Sequence, residues 1–540
     1  SGPGDRVELM PTGTHRPQPK VPFAAVLVAL IVLAAIAYVA NAAGGGSTRG
    51  SGDPAAVSDA APASPGSGGP SGAPAAGSTP SPRADAAGVI TPGPINPAHP
   101  GLRTFRGNYS RDYYGEGPVP THPVVRWRFP KTGGLCGLSF DKIFGSRTWC
   151  GTGWTGQPNV IPMANGKVEV REGAYDFKYH FLNGATGLPT KPAFPTQDLA
   201  KGSATSDSDG YPLYYAGSRD NRLRVIAMDG SRPHVLWQFN SRSQKGWLWN
   251  DDWDAAPLQV GDYLLEGGEN SWFYVIRLNR GYDAVGNVTV DPKIVMRVPG
   301  WDKQLRQKVT DADLSIENSV AFRDGVAYFS NSGGLVQGWD ISDILNGGTQ
   351  YKRVFRFWDG DDTDATIVID PAGDLIVGRK MEENVPRPES FPRDHQIGSL
   401  MKLDPTNPTD PVVWSVQVGG FGPDNGILGT PALYNGVVYA TSTQGGVVAV
   451  DETTGKQLWE LPVAPPTWSS PVPIDGKLIV GDGAGYLNCW QLNANTAKPP
   501  HLLWRLHVGG IIESTPAVWH GWIYVGTRDG GIYGIANRGT

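Results

Sequence analysis

The sequence predicts an all-β chain, an eight-bladed β-propeller over residues 101–540, closed by an N-terminal strand and preceded by one transmembrane helix and a disordered linker. Three observations predict it. A hairpin whose returning strand carries one large aromatic recurs, and Trp414, Trp459 and Trp504 are spaced by 45 and 45 residues. A small residue, a Pro and a short apolar strand precede the hairpins, as in GTPALYNGVVYA, SSPVPIDGKLIV and STPAVWHGWIYV. Helical periodicity of any length is missing from Gly101 onward. About four short strands in a repeat of roughly 40–45 residues argue for a propeller over a sandwich.

Each element has a local cause. In GGVVAVDETTGKQLWE (Gly445–Glu460), Val447, Val448 and Val450 are β-branched and favour a pleated strand. Asp451 can accept from backbone N–H groups ahead of it, and Gly455 can take the positive φ that closes the turn. Lys456–Leu461 then alternates and carries Trp459. Degenerate copies upstream place Trp127, Phe194, Trp237, Met296 and Phe355 at the same point, with intervals of 67, 43, 59, 59 and 59 on the way to Trp414. That makes eight positions for one kind of residue. The last repeat stops before its Trp-bearing strand, while Val124–Phe129 stands ahead of any full repeat. The N-terminal strand is therefore expected to complete the C-terminal blade, which removes the free sheet edge at the seam.

The hairpin with Asp-x-x-Thr-Gly and a following Trp resembles the tryptophan-docking repeat of the pyrroloquinoline-quinone-like (PQQ-like) propellers. FRGNYSRDYYGEGP (Phe105–Pro118) is similar to the entry segment of that family. The resemblance implies that Trp127, Trp237, Trp414, Trp459 and Trp504 dock between neighbouring blades as structural residues. It also implies one of two functions. Some members are dehydrogenases that bind the quinone with a calcium ion over the central tunnel; others lack the cofactor and act as scaffolds.

The N-terminal part sets the expected location. Residues 1–20 read as a cytoplasmic tail, and Val21–Ala43 is an uncharged apolar run long enough to cross a bilayer. Arg16 and Lys20 precede it, which keeps the N-terminus inside and sends the propeller outside. A retained anchor is favoured over a signal peptide cleaved at Ala40-Asn41-Ala42. Residues 44–100 are rich in Gly, Ala, Ser and Pro and read as a disordered tether spanning roughly 40 Å. The expected location is thus the cell membrane, in single-pass form, with an envelope protein or cell-wall polymer as partner. The 46 Lys+Arg against 51 Asp+Glu give a net charge of −5, which offers nothing to a nucleic acid.

Only three cysteines occur. Cys136 and Cys150 lie 14 residues apart and are either bridged across a hairpin or free; Cys489 reads as a buried thiol.

In a propeller the links from one outer strand to the next inner strand share one face. Here they are rich in Trp and Asp, above all WLWNDDWD (Trp247–Asp254). Asp254, Glu317 and Glu513 stand at equivalent positions just before an inner strand, with Trp468 at the matching place in another blade and Asp252 and Asp364 nearby. These six are expected to ring an acidic tunnel mouth. Asp254, Glu317 and Glu513 would be the ligands of a cation, since crowded carboxylates want a cation, a basic partner or raised pKa values. Acidic turns also occur simply because Asp closes turns.

The resemblance implies that a dehydrogenase carries an adjacent Cys-Cys pair against the cofactor, and this chain has none; it also has no C-x-x-C-H, no G-x-S-x-G and no H-E-x-x-H. The sequence therefore favours a binding or assembly scaffold in the cell envelope, admits calcium and argues against the quinone. The alternative is a PQQ-dependent alcohol or sugar dehydrogenase, so catalysis itself stays open.

Overall fold

The computed structural model describes residues 83–539, apart from 143–144, 383–386 and 388–390. The expected cytoplasmic tail, membrane helix and most of the expected tether lie outside the described residues. Among the described residues no helix is long and apolar enough to cross a membrane.

Seven four-stranded antiparallel sheets and one five-stranded sheet form the blades. Blade 1 begins at Asn159–Pro162, blade 2 at Thr205–Ser206, blade 3 at Leu258–Val260 and blade 4 at Ala321–Arg323. Blade 5 begins at Val368–Ile369, blade 6 at Ala432–Tyr434, blade 7 at Val472–Ile474 and blade 8 at Ala517–Trp519. The seam closes as expected. Pro123–Phe129 pairs antiparallel with Gly531–Asn537, placing Trp127 opposite Gly534. Gly115–Glu116 adds a parallel strand on the inner side of the same blade.

The docking residues explain the repeat. Trp414 donates its indole N–H to the carbonyl of Glu452 at 2.8 Å, Trp459 to Thr496 at 3.0 Å and Trp504 to Pro120 at 2.8 Å. Each acceptor belongs to the neighbouring blade or to the segment packed on it. Gly455 has φ +70°, and a Cβ there would lie 2.6 Å from Trp414. The Gly of Asp-x-x-Thr-Gly thus closes its own turn and clears space for the preceding blade's ring. Trp237 is half-buried and stacks on Phe239, ring centroids 6.3 Å apart.

The irregular 59-residue spacings have visible causes. Blade 3 carries an extra hairpin, Gly281–Tyr282 with Val288–Thr289. Short helices interrupt the next two, Ser342–Leu345 in blade 4 and Phe391–Ile397 in blade 5.

The entry segment runs along the inner strands. Backbone bonds join Ser206 to Arg103, Phe322 to Tyr109 and Ile369 to Ser110. Its Arg106 and Arg111 are fully buried. Arg111 donates to the carbonyls of Val320 at 2.6 and 2.8 Å and of Phe105 at 2.7 Å. The expected tether is shorter than 44–100, because residues 83–100 are ordered. Arg83–Ala84 pairs with Ile90–Thr91, and the carboxylate of Asp85 accepts from the Asp475 N–H at 2.9 Å.

Candidate functional site

The outer-to-inner links surround a cavity of about 460 Å³ at the tunnel mouth. One wall is a hairpin in the link from blade 8 to blade 1. Its strands, Cys136–Asp141 and Gly145–Cys150, place the two cysteines opposite each other, and a disulfide joins them. Arg219 of blade 2 donates to Asp141 at 2.8 Å and ties the hairpin to the ring. The hairpin brings Lys142, Arg147 and Trp149 to the cavity, where Arg219 and Arg528 add two more cations. The Arg147 guanidinium lies 3.8 Å from the Trp149 ring centroid, and the Lys142 ammonium 4.9 Å from that of Trp249.

Aromatic rings line the interior. Trp154 meets Trp468 edge-on, centroids 5.9 Å apart at 75°. Trp154 and Trp249 sit at φ +56° and +58°, left-handed backbone that bulky residues rarely adopt. Each costs on the order of 1–3 kcal/mol and persists because the surroundings hold it, as is common where side chains are aimed at a site.

The opposite wall is acidic. Glu317 accepts from the Trp154 indole at 3.2 Å and from the Ser315 hydroxyl at 2.8 Å. Ser315 also lies 3.0 Å from Asp313. Burial, then the charge of Asp364, pushes Glu317 well above the usual carboxylate range. Burial and Asp362 do the same to Asp364. Burial also works against ionising Asp362, but Lys380 at 2.9 Å and Arg387 outweigh it and hold that carboxyl low. The two neighbouring carboxyls are thus pushed in opposite directions, since like charges so close resist joint ionisation.

Behind this wall Asp252, Asp254 and Glu269 bring ligand atoms within 4.8 Å of one another. The Lys201 ammonium sits among them, 3.5 Å from Asp252, 3.3 Å from Glu269 and in closest contact with Asp254. Burial opposes the Lys201 charge, but Asp254, Glu269 and Asp252 outweigh it and hold the ammonium well above the ordinary lysine range. Arg219 contacts Asp252 at 3.1 Å. Two cations thus face three carboxyls. Burial and Glu269 keep Asp252 well above the carboxylate range.

Of the residues expected at the mouth, Glu317, Asp364, Trp468 and Glu513 line the cavity. Asp252 and Asp254 are buried behind it. The expected cation trio does not form. Glu513 is taken by Arg528 at 3.0 Å, Glu317 by Trp154 and Ser315, and Asp254 by Lys201. Among the described residues, the carboxylates at metal-ligand spacing are Asp252, Asp254 and Glu269 instead. Sequence reasoning missed Lys201, Trp154, Glu269 and Asp313. The first two lie in the links into blades 1 and 2, whose degenerate repeats hid them.

A family model described as outer membrane protein assembly factor BamB matches residues 398–539. A quinoprotein ethanol dehydrogenase of Pseudomonas putida is 24% identical over 404 residues, covering 67% of this chain and 56% of the relative. The quinoprotein ethanol dehydrogenase of Pseudomonas aeruginosa is 23% identical, covering 65% of this chain and 54% of the relative. The last repeats and the eight-bladed fold are similar to those of the PQQ-like β-propellers. The chain spans about half the length of the curated relatives it matches. The quinohemoprotein alcohol dehydrogenase from Comamonas testosteroni superposes with a TM-score of 0.53 at 13% identity, covering 82% of this chain and 81% of that one. A europium-containing methanol dehydrogenase also gives 0.53, at 12% identity, covering 81% of this chain and 98% of that one. These two likenesses speak for the fold. The curated relatives overturn two expectations, the scaffold role and the argument against the quinone. The missing adjacent cysteines and haem motif weighed too heavily, because they test details of the dehydrogenases and not the cavity itself.

Two implied groups fare differently in this propeller. A planar polyanion such as the quinone fits the donor set. Tryptophans line the cavity, cations gather on the hairpin side, and among the described residues the Trp468 indole N–H and the Arg528 Nε–H have no hydrogen-bond partner. A metal ion does not fit the carboxylate trio as it stands, because Lys201 fills it.

Proposed function

We propose that the mouth cavity is the active site of a PQQ-dependent dehydrogenase acting on alcohols. The observation that carries the reading is that Glu317, a half-buried carboxyl held by Trp154 and Ser315, lines one cavity together with tryptophans and cations. The curated quinoprotein relatives support it. When bound, the quinone supplies the acceptor for the two electrons that an alcohol gives up on becoming a carbonyl compound.

The chain's own residues have separable tasks. Trp154, Trp249 and Trp468 offer flat apolar faces to a planar ring. Arg147, Arg219 and Arg528 attract its carboxylates and leave one orientation favoured. Glu317 takes the hydroxyl proton at Oε2, and its raised pKa makes the ionised carboxylate a stronger base. Ser315 links Glu317 to Asp313 and gives the proton a path along the wall. The disulfide hairpin covers one side of the site, and such a bond supports the placing of the propeller outside a reducing cytosol.

The test is dye reduction by the purified protein with added quinone and a panel of primary alcohols, beside an absorbance titration of the quinone. Quinone-dependent turnover lost in Glu317→Gln supports the reading. A titration that shows no quinone binding sinks it.

A further inference from the structure

We infer that the ammonium of Lys201 takes the place of a divalent cation at this mouth, held by Asp252, Asp254 and Glu269, so that this trio works without a metal. The inference deepens the dehydrogenase reading and rests on it for its catalytic meaning, but its test needs no turnover.

The geometry is that of an occupied cation pocket. Three buried carboxylates offer oxygens within 4.8 Å of one another, and the Lys201 nitrogen contacts all three. Its side chain is only 9% exposed. A hydrated surface lysine would keep water on its three N–H groups, whereas here carboxylates replace that shell. The trio is fixed from outside as well. Asn250 donates to Glu269 at 2.7 Å, and Arg219 holds Asp252 at 3.1 Å. The ammonium also lies 4.9 Å from the Trp154 ring centroid, beneath the indole that contacts Glu317. Lys201 lines the cavity as well and so presents a fixed positive charge to whatever anion enters.

The charge count gives the consequence. With Lys201 and Arg219 present, the three carboxyls already face two cations. A divalent ion entering that cluster would have to displace the ammonium from all three carboxylates, which is expensive for a charge so nearly buried. Removing the lysine leaves three carboxyls facing Arg219 alone, a set that favours a hard divalent or trivalent cation.

Terbium is the probe, because the Trp154 indole stands close enough to sensitise its emission. Parent, Lys201→Ala, Lys201→Met, Asp254→Asn and Lys201→Ala/Asp254→Asn proteins are titrated with terbium and counter-titrated with calcium. The parent should show no emission that Asp254→Asn removes. A folded Lys201→Ala or Lys201→Met protein should gain saturable emission, at least tenfold over the parent, which calcium displaces and the added Asp254→Asn abolishes. Parent emission insensitive to Asp254→Asn comes from other carboxylates and agrees with a filled trio. Saturable parent emission lost in Asp254→Asn would overturn the inference, since a metal would then displace the ammonium. So would a folded lysine variant that gains no Asp254-dependent emission. The parent and Asp254→Asn arms decide the matter even if both lysine variants fail to fold. A failed dehydrogenase reading would show separately, as absent quinone binding.

Discussion

The indole N–H of Trp127 donates to the carbonyl of Gly184 at 2.8 Å, although the two residues lie 57 positions apart and in different blades. Trp127 stands on the strand that closes blade 8, and Gly184 on the turn of blade 1. A Cβ at Gly187 would come within 2.6 Å of the same ring. This contact fastens the ring's seam from the blade-1 side. Trp127→Ala removes a buried aromatic and leaves a cavity, so it should cost about 3–5 kcal/mol in denaturant unfolding. Trp127→Phe should cost less, because the ring volume mostly remains. A loss below about 1 kcal/mol for the alanine variant would mean that the strand is not docked.

The hairpin wall depends on its covalent tie. Cys136→Ser/Cys150→Ser opens a loop whose closure is worth about 3 kcal/mol on the chain-entropy scale. The loss should be local, because the hairpin is an insertion and adds no strand to any blade. Hydrogen exchange should quicken across 136–150 while the blade strands keep their protection. Quinone affinity should fall with it, since Arg147 and Trp149 would no longer be fixed. Unchanged exchange in the double variant would show that Arg219 and the backbone contacts hold the hairpin alone.

Buried acids make stability depend on pH in a definite direction. Burial, aided by the charge of Asp362, pushes Asp313 up to about 8 from an ordinary 3.8. Between these values the folded chain holds a proton that the unfolded chain has released. Stability is therefore full below the unfolded pKa and falls as pH rises toward 8. Asp313→Asn keeps the shape and removes the ionisation, so its stability should fall less over that window than the parent's, with a difference on the order of a few kcal/mol at most. Parallel melting curves at pH 5 and pH 8 check this. A larger fall in the variant would reverse the sign and place an ionised Asp313 in the fold.

The closing architecture was legible because it repeats. A turn that needs Gly at Gly455, followed by a ring that needs space at Trp459, leaves the same mark in each well-kept blade. The incomplete last blade and the unattached Val124–Phe129 strand gave the seam directly. The mouth was half legible. Glu317, Glu513 and Trp468 share a register before the inner strand, so topology alone brings them to one cavity. Their pairing was not legible, because Lys201 comes from a link without any motif and reaches the trio only through the fold. The same holds for Trp154, whose left-handed backbone is visible in coordinates and not in composition. Aligning the links into blades 1 and 2 on the later ones would have brought both residues into view.

Glu317 and its two neighbours give the sharpest kinetic prediction. Burial comes first and Asp364 second in pushing the Glu317 carboxyl upward, while the Trp154 indole N–H contacts the oxygen that would carry the charge. If Glu317 accepts the alcohol's proton, the rate should rise with pH as Glu317 ionises. Glu317→Gln should lower kcat by roughly 10²–10⁴-fold, the usual share of a positioned acid or base, with quinone affinity little changed. Asp364→Asn removes a charge that disfavours the ionised form, so the rising limb should move to lower pH. Trp154→Phe removes a donor to the ionised form and should move the limb to higher pH. A residue that only supported the fold would change the height of the profile and leave the limb in place. Opposite displacements in these two variants, measured as kcat against pH with saturating quinone, identify Glu317 as the group that titrates. A limb that stays fixed in both would assign the proton to another carboxyl of the same wall.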